Sequence, residues 1–351
     1  MSNEVERMTI GKNRQWLLAE RPIDRPVRAT DFKLGEARIP EPKEGEFVIR
    51  VIYSSLAPVM RFYMLDGAGI EKPLEIGDVM RGRGVGQVVA SRHLNFKVGE
   101  IVQGKMGWQE YAISDGSPYW MMYKVHQRVV PVSTALGILG MTGFTAYFGL
   151  FDIGKPKPTD IVLVSGAAGG VGSSVAQLAK TVGCRVVGIA GSDEKCTMLT
   201  EKLSYDAAIN YKMDDVGAKM DELCPKGIDV FFDNVGGPIL DVGLARINKY
   251  ARVISCGGIS QYIAGSTEPY PLKNAYKIGR LNALLQGFLI YDYEPRFPEA
   301  EVAMAQWVKE GKLSYQEDVL DGFERMPEAL IRLYNGENRG KQLVRVSKDP
   351  F

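Results

Sequence analysis

Two periodicities divide this chain. In its first third the apolar residues come in short runs cut off by turn residues. Residues 46–53 read Glu-Phe-Val-Ile-Arg-Val-Ile-Tyr, β-branched and aromatic, as a strand facing a core does. Residues 82–91 and 98–104 repeat the pattern, with Gly82, Gly84, Gly86 and Gly99 where a strand must bend or bulge. Short strands between turns predict a partly open β-barrel.

The pattern changes near residue 134. Residues 135–151 are apolar with helical character, and from Asp160 onward apolar strands alternate with amphipathic stretches. The strands fall at 161–164, 185–190, 207–210, 228–233, 251–256 and 282–289, followed by a helix with an apolar stripe at 295–310. Such alternation predicts a parallel sheet with crossover helices. A last strand, 340–346, is expected to return to the first domain. The fold expected is α/β: a doubly wound Rossmann sheet over residues 134–310, and a partly open β-barrel domain built from residues 1–133 and 311–351.

Composition narrows function by exclusion. A chain of 351 residues, 45% hydrophobic and 24% charged, can bury two cores. A net charge of +1 without a basic run gives nucleic acid no handle. No apolar run approaches the roughly 18 residues that span a bilayer. The opening residues 1–7 are polar and acidic rather than a signal peptide, so a cytoplasmic location is expected. Cys184, Cys196, Cys224 and Cys256 form no Cys-x-x-Cys pair and read as reduced, buried thiols. His93 and His126 stand apart, so no cluster of zinc ligands is expected.

The segment Ser165-Gly166-Ala167-Ala168-Gly169-Gly170-Val171-Gly172 joins a buried strand to an amphipathic helix. Small residues let the backbone approach a pyrophosphate, and the helix start supplies N–H groups. A plain strand–helix turn is the competing reading, and the alternation that continues afterwards favours the dinucleotide site. The second strand ends Ala190-Gly191-Ser192, without the acid that would bind the ribose 2′-hydroxyl of NAD. Asp193 and Glu194 suit the first turn of the next helix, whereas Lys195 suits the 2′-phosphate of NADP. NADPH is therefore the cofactor expected, against the bland reading of Lys195 as a solvated surface residue.

Taken in order, several segments resemble one family. They are Gly107-Trp108-Gln109-Glu110-Tyr111, residues 139–147 (Leu-Gly-Met-Thr-Gly-Phe-Thr-Ala-Tyr), the glycine-rich loop, Gly191-Ser192-Asp193-Glu194-Lys195 and Asn210-Tyr211-Lys212. Phe232-Asp233-Asn234-Val235-Gly236-Gly237, residues 256–262 (Cys-Gly-Gly-Ile-Ser-Gln-Tyr), Gly287-Phe288 and Gly336-Glu337-Asn338-Arg339-Gly340-Lys341 complete the set. Over residues 48–346 the chain resembles the zinc-independent medium-chain dehydrogenase/reductases of the prostaglandin reductase and leukotriene B4 dehydrogenase type, including bacterial NADPH-dependent curcumin reductases.

The resemblance implies a GroES-like form for the barrel, and it implies roles. Lys195 and Tyr211 would hold the 2′-phosphate, near Gly191. Gly169, Gly170, Val171 and Gly172 would cradle the pyrophosphate, with Thr145 nearby. Met141 and Asn234 would line the cleft, and Cys256, Gly257, Ile259, Ser260 and Tyr262 would run under the nicotinamide. Phe288, Leu289 and Ile290 would meet its carboxamide through the backbone, and Asn338 would reach a cofactor phosphate. Two departures stand out. The family's Asp-Pro-Tyr-Met-Arg is here Ala57-Pro58-Val59-Met60-Arg61, and its Met-Pro-Gly is Met141-Thr142-Gly143.

The activity implied is reduction of the carbon–carbon double bond of an α,β-unsaturated ketone or aldehyde, with hydride delivered to the β-carbon. A donor must then stabilise the enolate oxygen. Tyr262 is the candidate, since it follows the fifth strand at the carboxyl ends of the sheet, and packing against the nicotinamide is its plainer role. Met60, Arg61 and Tyr63 are candidates for the substrate pocket, though a core position explains each as well. Two other functions fit the same cofactor: a quinone reductase, and a non-catalytic NADPH-binding sensor or scaffold. The sixth strand, if it lies at a sheet edge, can pair with a second subunit, and because members of the family commonly do this the resemblance implies a homodimer.

Overall fold

The computed structural model describes residues 11–65, 71–125, 130–263 and 270–349; the opening residues 1–7 and His126 lie outside them. The chain begins with an antiparallel pair, β1 (Lys12–Leu18) and β2 (Phe32–Arg38). There follow β3 (Phe47–Ser55), a short helix α1 (Met60–Met64), β4 (Arg83–Ser91), β5 (Ile101–Lys105), β6 (Tyr111–Ser114) and β7 (Tyr123–Lys124). The alternating part then runs α2 (Met141–Phe148), β8 (Ile161–Val164), α3 (Gly172–Val182), β9 (Arg185–Ala190), α4 (Asp193–Lys202), β10 (Ala207–Asn210) and α5 (Val216–Leu223). It continues with β11 (Ile228–Asp233), α6 (Gly237–Leu244), β12 (Ile247–Ser255), α7 (Ile259–Ile263), α8 (Tyr276–Arg280), β13 (Leu284–Gly287) and α9 (Phe297–Lys309). The chain closes with β14 (Glu317–Asp321), α10 (Met326–Tyr334) and β15 (Lys341–Arg345).

These elements form two units. One comprises Met1–Leu136, Asp318–Glu337 and Gln342–Phe351; the other comprises Gly137–Glu317 and Asn338–Lys341. The first holds a mixed sheet in the order β14-β15-β3-β4-β5-β7, with β6 also on β3. The return strand β15 pairs antiparallel with β3, Leu343 opposite Ser55. Strands β3 and β4 press together so closely that a Cβ on Gly86 would lie 2.4 Å from the Arg50 carbonyl oxygen. Trp108, Phe47, Phe323, Met60 and Met64 fill the core of this unit. Each large apolar side chain buried there contributes roughly 1.5–3 kcal/mol.

The second unit is a parallel sheet in the order β10-β9-β8-β11-β12-β13. All four residues of β8, Ile-Val-Leu-Val, are buried, as a central parallel strand with helices on both faces requires. Its strand order reverses at β8, which places a crevice at the carboxyl ends of β8 and β11.

Several boundaries differ from the sequence pattern for physical reasons. The strand expected from residue 98 begins at Ile101, because Gly99 turns with φ of 91° and its N–H closes on the Val88 carbonyl at 2.8 Å. The apolar stretch 135–151 is not one helix. Its chain doubles back so tightly that a Cβ on Gly143 would sit 1.9 Å from the Ile138 oxygen, and α2 starts only at Met141. Residues 311–317 and 338–341, expected with the first domain, belong to the second unit. The Ser314 N–H donates to Gln177 Oε1 at 2.7 Å, and the Gly340 N–H to the Ala168 carbonyl at 2.9 Å. Strands β1, β2 and β14 carry charged and polar residues without clean alternation, which hid them.

Candidate active site

The floor of the crevice is a short polar network. Ser165 leaves β8 and Asp233 ends β11. The Ser165 hydroxyl donates to Asp233 Oδ1 at 2.5 Å and accepts the Asn234 N–H at 2.8 Å. Asn234 Nδ2 donates to the Ser165 carbonyl at 2.8 Å, and the Gly236 N–H donates to Asp233 Oδ2 at 2.9 Å. Asp233 is fully buried, and desolvation pushes its carboxyl above the usual range despite these donors. The network fixes the spacing of the two strand ends around Asn234. Sequence reasoning missed Ser165 and Asp233 as site residues; an Asp at a strand end before Asn-Val-Gly-Gly is the turn signal that marks the second of them.

Above this floor runs the glycine-rich loop. Gly166 takes φ of 58°, and the Ala167 N–H donates to the Ile189 carbonyl at 3.0 Å. A Cβ on Gly169 or Gly172 would stand 3.2 or 2.5 Å from the Gly166 carbonyl oxygen. A side chain is crowded at Gly169 and excluded at Gly172, which leaves the backbone bare at the start of α3, a cradle that fits a diphosphate. Buried Tyr205 steadies it, its hydroxyl donating to the Gly172 carbonyl at 2.7 Å. Thr145 stays within its own helix, its hydroxyl donating to the Met141 carbonyl at 2.7 Å. Thr142, at the departure from the family pattern, donates its hydroxyl to the Gly137 carbonyl at 2.9 Å.

At the tip of β9 the structure brings Tyr211 onto Gly191, and Lys195 follows in the first turn of α4. A Cβ on Gly191 would meet the Tyr211 ring at 2.9 Å, so the exposed ring lies directly over this glycine. Ser192 caps α4, its Oγ accepting the Lys195 N–H at 3.3 Å. The neighbouring acids are engaged. Asp193 Oδ1 accepts from Asn210 Nδ2 at 2.7 Å, and Glu194 pairs with Arg339. The corner thus holds the Tyr211 ring over Gly191, with Lys195 in the first turn of the helix that follows; a phenol and a lysine are residue types that fit a 2′-phosphate.

The other end of the crevice is built by the turn after β12. The N–H groups of Cys256 and Gly257 donate to the Asp233 carbonyl at 2.8 and 3.2 Å, and Ser260 Oγ donates to the Val235 carbonyl at 2.7 Å. The Ile259 N–H reaches the Asn234 carbonyl at 3.4 Å. Burial pushes the Cys256 thiol up to about 12, the behaviour of an inert small hydrophobe rather than a nucleophile. The Tyr262 phenol folds back on its own helix, its oxygen accepting the Gly258 N–H at 2.9 Å. Burial raises its pKa above the ordinary phenol value, which keeps it a protonated donor. Because Ser255 pairs with Gly287, Cys256 and Phe288 leave adjacent strand ends. Phe288 packs edge-on against Tyr293, with Leu289 exposed and Ile290 opening a 3-10 helix.

Asn338 lies beside the phosphate loop. Gly169 and Gly340 form a bridge, and the buried Asn338 amide donates from Nδ2 to the Gly340 carbonyl at 2.8 Å. Met60, Arg61 and Tyr63 are different. They belong to the first unit and are all buried. Arg61 Nη2 donates to the carbonyls of Pro22 and Arg25 at 3.0 and 2.8 Å, so its guanidinium ties chain segments together rather than waiting for an acidic substrate. Among the described residues no three His, Cys, Asp or Glu side chains gather as metal ligands.

A doubly wound sheet with a phosphate loop at its switch point, joined to a mixed-sheet unit, defines a two-domain nucleotide-dependent oxidoreductase. Family models described as "N-terminal domain of oxidoreductase" and "Zinc-binding dehydrogenase" match residues 14–122 and 170–307. The chain is 42% identical over 342 residues to the NADPH-dependent curcumin reductase of Escherichia coli (strain K12), covering 96% of this chain and 98% of that one. It is 39% identical over 335 residues to prostaglandin reductase 1 of Bos taurus, covering 95% and 98%. The crystal structure of CurA in complex with NADPH from Vibrio vulnificus superposes with a TM-score of 0.89 at 42% identity, covering 96% and 100%. The chain belongs to the zinc-independent medium-chain dehydrogenase/reductase family.

Proposed function

We propose that this protein uses NADPH to reduce the carbon–carbon double bond of α,β-unsaturated ketones or aldehydes. The observation that carries the reading is the corner at β9, where Tyr211 covers Gly191 beside Lys195 and both nearby acids are already engaged. Its relatives include a curcumin reductase and a structure holding NADPH. NADPH, when bound, supplies the hydride that goes to the β-carbon of the enone.

The protein's own residues do the rest. The glycine-rich loop and the Lys195–Tyr211 corner bind the phosphates. The turn from Cys256 to Tyr262 and the backbone after β13 orient the nicotinamide. Charge that develops on the substrate carbonyl oxygen needs a donor, and the Tyr262 phenol, held by the Gly258 N–H and kept protonated by burial, supplies it.

Among the described residues strand β13 pairs with β12 alone, and Leu284 on it is exposed. A second copy pairing along the other edge of β13 gives a homodimer. No helix among the described residues is long and apolar enough to cross a membrane, and the four cysteines are free thiols, which supports a cytoplasmic location.

The test is oxidation of NADPH, and separately NADH, against a short enal, a cyclic enone, a diaryl enone and a quinone, with product analysis. A saturated α,β bond formed at the expense of NADPH is the expected result. Consumption of NADPH by the quinone alone would transfer the assignment to quinone reduction.

A further inference from the structure

Segment 338–341 lies beside the phosphate loop, and α4 begins just past the tip of β9. The first is registered against the phosphate loop by the Gly340 N–H, 2.9 Å from the Ala168 carbonyl, and by the Gly169–Gly340 bridge. Its backbone cannot slide, since Gly340 holds φ of 83° and a Cβ there would lie 2.1 Å from the Gln316 oxygen. The second carries Glu194 between Asp193, bound to Asn210, and Lys195, whose N–H is capped by Ser192. Arg339 reaches from one to the other and pairs with Glu194. The guanidinium is therefore brought to the residue next to Lys195.

We propose that Arg339 is a third ligand of the NADPH 2′-phosphate, exchanging Glu194 for the phosphate when the cofactor binds. This rests on the reading of Lys195 and Tyr211 as the 2′-phosphate corner. The physical case is a competition between two anions. Both side chains of the Arg339–Glu194 pair are more than half exposed, and ion pairs so exposed to water are weak. A phosphate carrying more than one negative charge offers the planar guanidinium two parallel, charge-assisted bonds. Glu194 holds the cation at the start of α4 in the free protein, and its carboxylate repels the incoming phosphate once the arginine turns away. Asn338 and Gly340 fix where the arginine's backbone stands, beside the phosphate loop.

Calorimetric titration of the full chain with adenosine 2′,5′-bisphosphate and with adenosine 5′-monophosphate isolates the 2′-phosphate. Arg339→Leu is expected to raise the Kd of the bisphosphate about tenfold and leave the monophosphate unchanged. Arg339→Lys is expected to recover part of the loss, and Glu194→Gln to tighten the bisphosphate alone. Unfolding temperatures without ligand check that each variant is folded. If the wild-type protein prefers the bisphosphate and Arg339→Leu keeps that ratio, the assignment of Arg339 is wrong while the corner survives. If the wild-type protein binds both probes equally, the corner and the arginine fall together.

Discussion

The hydroxyl of Ser165 and the carboxylate of Asp233 meet at 2.5 Å under the crevice, one at the end of β8 and the other at the end of β11. Ser165→Ala removes the donor to a fully buried carboxylate and the acceptor of the Asn234 N–H. Leaving such groups unsatisfied costs about 1–3 kcal/mol, which urea unfolding should register. NADPH should bind more weakly as well, because Asn234 and Gly166 lose their common support. Unchanged stability and unchanged affinity would show that the network is ornamental.

Gly191→Ala tests the Tyr211 corner without touching a charge. The new Cβ meets the tyrosine ring at 2.9 Å, and the ring, being exposed, can swing away. Gly191 does not take a positive φ, so alanine suits its backbone and stability should shift by less than about 1 kcal/mol. The Kd for NADPH should rise several-fold, and that for NADH should stay the same. An equal loss for both cofactors would argue that the glycine serves the adenine or ribose rather than the phosphate.

The alternation of apolar strands gave away the parallel sheet because each strand there is buried on both faces, and β8, β9 and β11 appear within a residue of their expected places. The glycine-rich loop was legible for the same reason: strand, small residues and helix follow one another locally. What stayed hidden depends on contacts distant in sequence. Lys12-Asn13-Arg14-Gln15 carries no apolar alternation, yet it is a strand because Phe32–Arg38 lies beside it. Arg61 looked available for a substrate, and only the fold shows Pro22 and Arg25 turning their carbonyls onto it. The same holds for Arg339 and Glu194, paired across 145 positions.

Tyr262→Phe addresses the proposed electrophile. Loss of one donor to a developing oxyanion typically costs about a hundredfold in kcat. The Gly258 N–H loses its acceptor too, so a small stability loss is expected. The Kd for NADPH should hold, which separates a role in the reaction from mere packing. Burial raises the phenol pKa, so ionisation of Tyr262 should produce no falling limb in the wild-type rate profile below pH 10. A variant that keeps the full kcat would hand the donor role to another group.

Lys341 links stability to cofactor affinity through pH. It is buried, and a Cβ on Gly170 would touch its Cδ at 3.1 Å, so the lysine runs under the phosphate loop. Desolvation lowers its pKa from 10.5 to about 8, outweighing the attraction of Glu317. Between those two values the unfolded chain holds more protons than the folded one, so stability rises with pH across that window. Below pH 8 the charged, buried lysine costs on the order of 3 kcal/mol. Lys341→Met removes that cost: the variant should be more stable than the wild type at pH 7, with the gap closing from pH 8 toward 10.5. Binding should run the opposite way. A positive charge on the lysine whose Cδ lies against Gly170 favours a diphosphate, so wild-type affinity for NADPH should decline above pH 8 while the variant, weaker throughout, stays flat. Calorimetry near pH 8 in buffers of different ionisation heat should also register proton uptake on binding in the wild type alone. Parallel pH profiles for the two proteins would mean that Lys341 does not titrate in this range and that its charge is not part of the phosphate site.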